Sequence, residues 1–282
     1  MSETSAAQVP QQPEGPALGV MDVVRMGWRL LASDFWQIWL AALIVVGIIG
    51  GVNYFPCISC VGPIINVFIW PALMAGLFLV VRNGIDGAPI QFGDLFSAFQ
   101  RCYGQVLIGG LPVTLTGVVV WIAVTVIGMA MGFTMALTME NRGPDVELGP
   151  ALASYGIGFG LSLIRLMIMG IVGLFFVFAM LAIWENPEDG WGAAKKSLRL
   201  VVDHLGSACI FGLIFAGLWV AAAVSGIAAC CVGYFFTMAV FQAWHAASVV
   251  YLYRSWTSQA LVQPLAALPA ADAGLPPAPP AM

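Results

Sequence analysis

Long stretches of this chain carry no Asp, Glu, Lys, Arg or His. Phe35–Val81 has none, Cys102–Met139 has none, and Leu166–Trp184 has none. Leu205–Tyr253 has one, His245. A helix needs about 20 apolar residues to cross a bilayer. The first stretch is long enough for two helices, and Asn53–Cys57 divides it, with Pro56 following Gly50 and Gly51. The pattern predicts spans near 35–51, 61–81, 111–137, 163–184, 208–228 and 233–253. Unbroken apolar runs of this length exclude a barrel, whose strands alternate polar and apolar residues. Backbone groups in lipid must be satisfied within each segment, so the spans are helices.

A second pattern precedes each odd-numbered span. In Val20–Leu31, the residues Val20, Val24, Trp28 and Leu31 share one face, with Asp22, Arg25 and Arg29 on another. In 94–106, Leu95, Phe96, Phe99, Cys102, Tyr103 and Val106 oppose Ser97, Gln100 and Arg101. In 191–205, Ala194, Leu198, Val201, Val202 and Leu205 oppose Lys195, Lys196, Arg199 and Asp203. All three follow the helical period and read as interfacial amphipathic helices. The expected fold is therefore all-α. It is a polytopic bundle of about six transmembrane helices plus three interfacial amphipathic helices on the cytoplasmic side. A unit of one amphipathic helix and two spans would occur three times, over 19–81, 92–184 and 190–254. Cys60-Val61-Gly62 and Cys231-Val232-Gly233 open spans 2 and 6, and Arg82 and Arg254 close them. Residues 1–18 and the Ala/Pro-rich 255–282 read as disordered tails flanking a membrane domain over 19–254. No cleavable leader is recognisable, which leaves the first span as the expected targeting signal.

Composition agrees with lipid as the solvent. Of 282 residues, 61% are hydrophobic and 9% charged, against roughly 25% charged in soluble domains. Mean hydropathy is +0.94. The net charge of −4 includes no dense basic run, so nucleic acid is not an expected partner. With six spans, eight of the ten Lys and Arg fall on the side of the termini, leaving Arg142 and Arg165. That bias places both termini in the cytoplasm and the protein in the inner (plasma) membrane. Trp36, Trp39, Trp184, Trp191, Tyr251, Tyr253 and Trp256 are expected to form an aromatic belt at that side. The basic residues Arg25, Arg29, Arg101, Lys195, Lys196 and Arg199 are candidates for contact with anionic headgroups. The expected partner is the lipid bilayer; the oligomeric state is left open.

Few residues suggest chemistry. No span contains Asp or Glu, which removes a carboxylate proton relay or an aspartyl protease. Two histidines cannot form an HExxH zinc site, and no cofactor or metal is expected. His245, with Gln242 and Asn66, is a candidate intramembrane polar site. Its alternative is a neutral imidazole bonded to a neighbouring helix. Cys57 and Cys60 form a CxxC on the face opposite the termini, where Cys230 and Cys231 also fall. These four are candidates for a redox pair or a structural disulfide, or are plain small apolar residues.

The run Trp184-Glu185-Asn186-Pro187-Glu188-Asp189-Gly190, followed by Ala193-Ala194-Lys195-Lys196-Ser197-Leu198-Arg199-Leu200-Val201, resembles a recurrent pattern in known proteins. In it a span ends, an acidic and glycine-containing turn follows, and an Ala/Leu/Lys/Arg helix begins. Gly27-Trp28-Arg29-Leu30-Leu31 leading to Asp34-Phe35-Trp36 is similar to the entry segment of the same group. The group comprises poorly characterised prokaryotic multi-span membrane proteins. It includes the membrane domain attached to glycerophosphodiester phosphodiesterases. The resemblance implies a helical membrane domain of unassigned activity, without the phosphodiesterase chemistry. The expected function is non-enzymatic: a membrane scaffold or a lipid- or protein-handling component. The alternatives are a small-molecule transporter and a thiol–disulfide redox protein.

Overall fold

The computed structural model describes residues 19–54, 62–140, 160–161, 164, 167–228 and 230–257. Among these every regular element is helical and no strand occurs. Six helices are long and apolar enough to cross a membrane: Phe35–Val52, Ile64–Ile85, Tyr103–Met131, Met167–Glu185, Leu205–Ser225 and Gly233–Trp256. The protein is an all-α, multi-pass bundle. Cys57 and Cys60, the expected loop from residue 141 on, and the tails apart from residues 255–257 lie outside the described residues. So do the side chains of Cys230 and Cys231.

In chain order, α1 (Val20–Ser33) leads into α2 (Phe35–Tyr54) and α3 (Gly62–Ile85). A 3-10 turn (Phe92–Phe96) and α4 (Ser97–Arg101) precede the long α5 (Tyr103–Glu140). The fourth span, Met167–Glu185, is interrupted by a turn at Val177 and Phe178, and its last part is α6 (Ala179–Glu185). Then follow α7 (Gly190–Asp203), α8 (Leu205–Ala228) and α9 (Cys230–Trp256). Asp189 starts α7 by accepting the Gly192 N–H at 2.7 Å, an N-cap typically worth about 1 kcal/mol.

Each short segment ends on one non-helical residue before the next span begins. These are Asp34 (φ −117°), Cys102 (φ −146°) and His204 (φ −119°). Seven residues earlier in each case, the segment meets the second span of another helix pair. Gly27 lies against Ser248 on α9, where a side chain would overlap both the Ser248 hydroxyl and its backbone. Leu95 backbone lies against Gly76 on α3 just as closely. Ser197 donates to the Phe175 carbonyl at 2.8 Å. Gly76 and Ser248 each precede an arginine, Arg82 and Arg254, by the same six positions. The first contact joins the start of the described chain to its last helix.

The segments differ from the sequence pattern in detail. The second is no continuous helix over 94–106. Asn83 donates to Asp94 at 2.9 Å, Ser97 to the Asp94 carbonyl at 2.7 Å, and Leu95 is pressed on Gly76. Together these hold a tight turn, and Tyr103–Val106 joins α5. The inward faces are also rotated. α1 buries Val23, Val24, Gly27, Leu30 and Leu31, while Trp28 is 46% exposed. α7 buries Gly190, Ala193, Ala194, Ser197 and Val201, while Leu198, Val202 and Leu205 face outward. Small residues let backbones approach, and lipid accepts the large apolar ones. The expected aromatic belt is mostly turned inward for a related reason. Trp39, Tyr251 and Tyr253 are buried. Trp184 donates its Nε1–H to the Ala75 carbonyl at 2.9 Å. Trp256 packs on Phe178 and His204. Trp36 and Trp191 alone of the seven are strongly exposed.

α9 is the hub, packing on α1, α2, α3 and α8. At the end of the bundle where α3 and α9 finish, Arg254 is 5% exposed and its Nη2 lies 2.7 and 2.8 Å from the two Asp86 carboxylate oxygens. Arg82 approaches the same carboxylate at 3.8 Å. Lys196 pairs with Glu185, and its ammonium lies 5.5 Å from the Tyr253 ring centre.

Candidate functional site

A cleft of about 300 Å³ opens inside the bundle between α3, α5, the fourth span, α8 and α9. Its walls come from helical stripes spaced four residues apart. Trp70, Met74 and Phe78 line it from α3, Phe211, Phe215 and Trp219 from α8, and Phe241 and His245 from α9. Residues four apart share one helix face, so each stripe turns one row of rings inward. Gly170 and Gly173 of the fourth span leave room opposite them. Among the described residues no charged side chain lines the cleft; its polar members are Gln242, His245 and the indole N–H groups. A second cavity of about 250 Å³ adjoins it, bounded by Val45, Ile49, Gly50, Tyr234 and Phe235. Trp70, Met74, Trp219, Phe241 and Gln242 belong to both.

The structure brings Gln242 and His245 into one wall of this cleft, but not Asn66, which does not line it. Of the two readings of His245, the imidazole bonded to a neighbouring helix finds no partner among the described residues. Among the described residues it makes no hydrogen bond and instead packs on three rings. Its centroid lies 4.9 Å from Phe215 and 6.0 Å from each of Phe211 and Phe241. Three flanking rings occupy the places where a bonding side chain would stand. The Gln242 Nε2–H is donated to the Met74 sulfur at 3.2 Å, a weak acceptor. Two side chains able to hydrogen-bond therefore stand in an otherwise apolar wall, where they could meet the polar head of a bound molecule.

The candidate headgroup residues divide. Lys196 is engaged by Glu185, and Lys195 lies 5.9 Å from the Trp191 ring centre. Arg101 and Arg199 are exposed. Arg25 and Arg29 line a groove of about 500 Å³ with Met21, Trp28, Ile214, Leu218 and Trp244. Of the cysteines with described side chains, Cys102 and Cys209 are free. Burial pushes the Cys102 thiol up from its ordinary pKa, against a smaller opposing pull from Arg101. That keeps it a protonated, unreactive thiol. Among the described residues no group of three or more His, Cys, Asp or Glu converges to hold a metal.

The sequence pattern pointed to the two polar residues and missed the walls around them. The spacing 70, 74, 78 and 211, 215, 219 was the available signal. In an apolar span it marks the face a helix turns to its neighbours only when those neighbours are known.

These features define a polytopic helical membrane protein with an apolar, aromatic-walled cleft inside its bundle. No family model matches the chain, and no curated protein or solved structure matches it.

Proposed function

We propose that this protein is a non-enzymatic, lipid-binding component of the plasma membrane, and that the interior cleft takes the apolar body of a neutral membrane lipid. The cleft lining carries the reading. Rings, methionines and glycines form the walls, and among the described residues no cation or carboxylate stands with them; Gln242, His245 and the indoles supply the side-chain hydrogen bonding. A charged solute would find no counter-charge there, and burying an unpaired charge is prohibitive. A lipid chain needs only shape and dispersion contacts. The proposal includes cytoplasmic termini, supported by the eight-to-two distribution of Lys and Arg. It also includes the three-unit architecture, supported by the equivalent contacts Gly27–Ser248, Leu95–Gly76 and Ser197–Phe175. The suggested kinship with membrane domains of the phosphodiesterase-linked group is part of the same reading.

The test is the lipid that accompanies the purified protein. Wild-type protein in mild detergent is expected to yield one neutral lipid class at a fixed molar ratio on solvent extraction and mass spectrometry. Gly173 lines the cleft and a Cβ added there meets nothing within 4 Å, so Gly173→Phe sets a ring at the cleft wall without a clash at its Cβ. That variant is expected to fold and to lose most of the lipid. Equal lipid content in the two folded proteins overturns the proposal.

A further inference from the structure

A separate feature lies outside the cleft. α1 is amphipathic, and it packs lengthwise on α9. Trp244 donates its Nε1–H to the Val24 carbonyl at 2.9 Å, and Gly27 meets Ser248. Trp244 and Ser248 precede the charged rim at Arg254 by ten and six residues. At 1.5 Å per residue those contacts fall roughly 15 and 9 Å along α9 from the rim. Trp244 is thus well inside the Gly233–Trp256 window that is apolar enough to cross a membrane. Arg25 and Arg29 project from this stretch of α1. Both line the groove whose other members, Met21, Trp28, Ile214, Leu218 and Trp244, are apolar or aromatic.

A guanidinium at that level needs an anion, because an unpaired charge among apolar groups is costly. Asp22 stands 3.9 Å from Arg25, a loose and exposed pair. Arg29 has no ion pair among the described residues. Arg25 and Arg29 are four apart, so their side chains rise from one helix face and can converge on a single group. Two forked donors over an apolar trench match a phosphate joined to acyl chains.

We propose that this groove holds one anionic diacyl phospholipid, with its phosphate between Arg25 and Arg29 and a chain along Trp28, Ile214 and Leu218. The proposal rests on the reading that lipid is this protein's ligand, but on residues that the cleft does not use.

The measurement is native mass spectrometry of the full chain. The protein is released from nanodiscs of equal parts phosphatidylglycerol and phosphatidylcholine with matched chains. Wild type is expected to retain phosphatidylglycerol over phosphatidylcholine by roughly thirtyfold, the order expected of two arginines against a net-anionic headgroup. Arg25→Gln/Arg29→Gln is expected to retain both equally, with an unfolding temperature close to wild type because both side chains are exposed. Lys195→Gln/Arg199→Gln is expected to keep the preference. Equal retention of the two lipids by wild type overturns the proposal and needs no variant. An undiminished preference in Arg25→Gln/Arg29→Gln overturns it too. Displacement of the phosphatidylglycerol by millimolar inorganic phosphate would reveal a free-anion site and would overturn it as well. Gly173→Phe separates the two readings. Loss of the neutral lipid with phosphatidylglycerol preference intact supports both. Loss of that preference in wild type with the neutral lipid still bound overturns the groove alone.

Discussion

α9 and α5 are both long, apolar helices, and they occupy opposite places. The α5 window Tyr103–Met131 has mean hydropathy 2.2 and is 6% buried, whereas the α9 window Gly233–Trp256 has 1.3 and is 56% buried. In water the more apolar helix would be the inner one. Here the order is reversed, as a lipid surrounding allows: hydrocarbon would solvate the exposed Val119, Ile122, Val126 and Phe133 of α5 as well as a protein core does. What α9 brings to the interior is smallness and polarity. Ala239, Ala243, Ala246 and Ala247 let neighbours close in, and Gln242, Ser248 and Arg254 find their place away from hydrocarbon. Interior position in this bundle follows backbone approach and polar placement rather than hydropathy.

The contrast is tested most sharply at the polar anchor of α9. Asp86→Ala removes the carboxylate from a guanidinium that is only 5% exposed, leaving a buried cation without its closest counter-charge. Breaking a buried pair from one side costs about 3–5 kcal/mol, and the lower end applies because Asp86 is itself 36% exposed. Arg254→Leu is expected to cost less, about 1 kcal/mol. The remaining Asp86 keeps Arg82 at 3.8 Å and access to solvent. Thermal unfolding of the detergent-solubilised protein should rank Asp86→Ala well below Arg254→Leu. The reverse ranking would mean that Arg254 is not the group held inside.

Next in size comes the approach of α1 to α9. Gly27→Leu must displace Ser248, including its backbone, and overpacking of this kind costs about 1–3 kcal/mol. Gly47, on α2, meets nothing within 4 Å, so Gly47→Leu is the matched control and should leave the unfolding temperature almost unchanged. Equal shifts in the two variants would show that the α1–α9 contact is not a close one.

The same contrast explains what could be read without coordinates. Charged side chains mark span ends in any lipid-solvated chain, so five of the six spans were legible to within four residues, while the third begins eight residues before the expected position, at Tyr103. Asp34, Cys102 and His204 could not be seen as breaks, because nothing in their side chains forbids helix. Each break comes seven residues after a contact with a helix far away in sequence, at Gly27, Leu95 and Ser197, and such contacts leave no local signal. The apolar faces of α1 and α7 were legible as stripes, but not which part of each stripe meets protein: Val24 and Val201 are buried, whereas Trp28 and Leu198 on the same stripes face outward. His245 and Gln242 were legible as rare polar residues within a span. Their cleft was not, since a stripe such as Phe211, Phe215 and Trp219 gains meaning only when α3 and α9 bring matching stripes to meet it.

The smallest expected effect lies on α5 and decides what covers that helix. Val119 and Phe133 are 64% and 66% exposed, and Ile122 is 49% exposed. If hydrocarbon is their surrounding, truncation exchanges side-chain contacts for lipid contacts of the same kind and leaves no cavity. Val119→Ala, Ile122→Ala and Phe133→Ala should then each change stability by no more than about 0.5 kcal/mol, as for exposed sites generally. If a second copy of the chain packs there, the same truncations open cavities and cost about 1 kcal/mol or more for each buried methyl group or ring lost. Unfolding temperatures of the three variants, measured at two protein-to-detergent ratios, separate the cases. Small, concentration-independent shifts place α5 in lipid. Large shifts that change with the protein-to-detergent ratio place it at an interface, and the low burial of α5 would then reflect a missing neighbour and not its solvent.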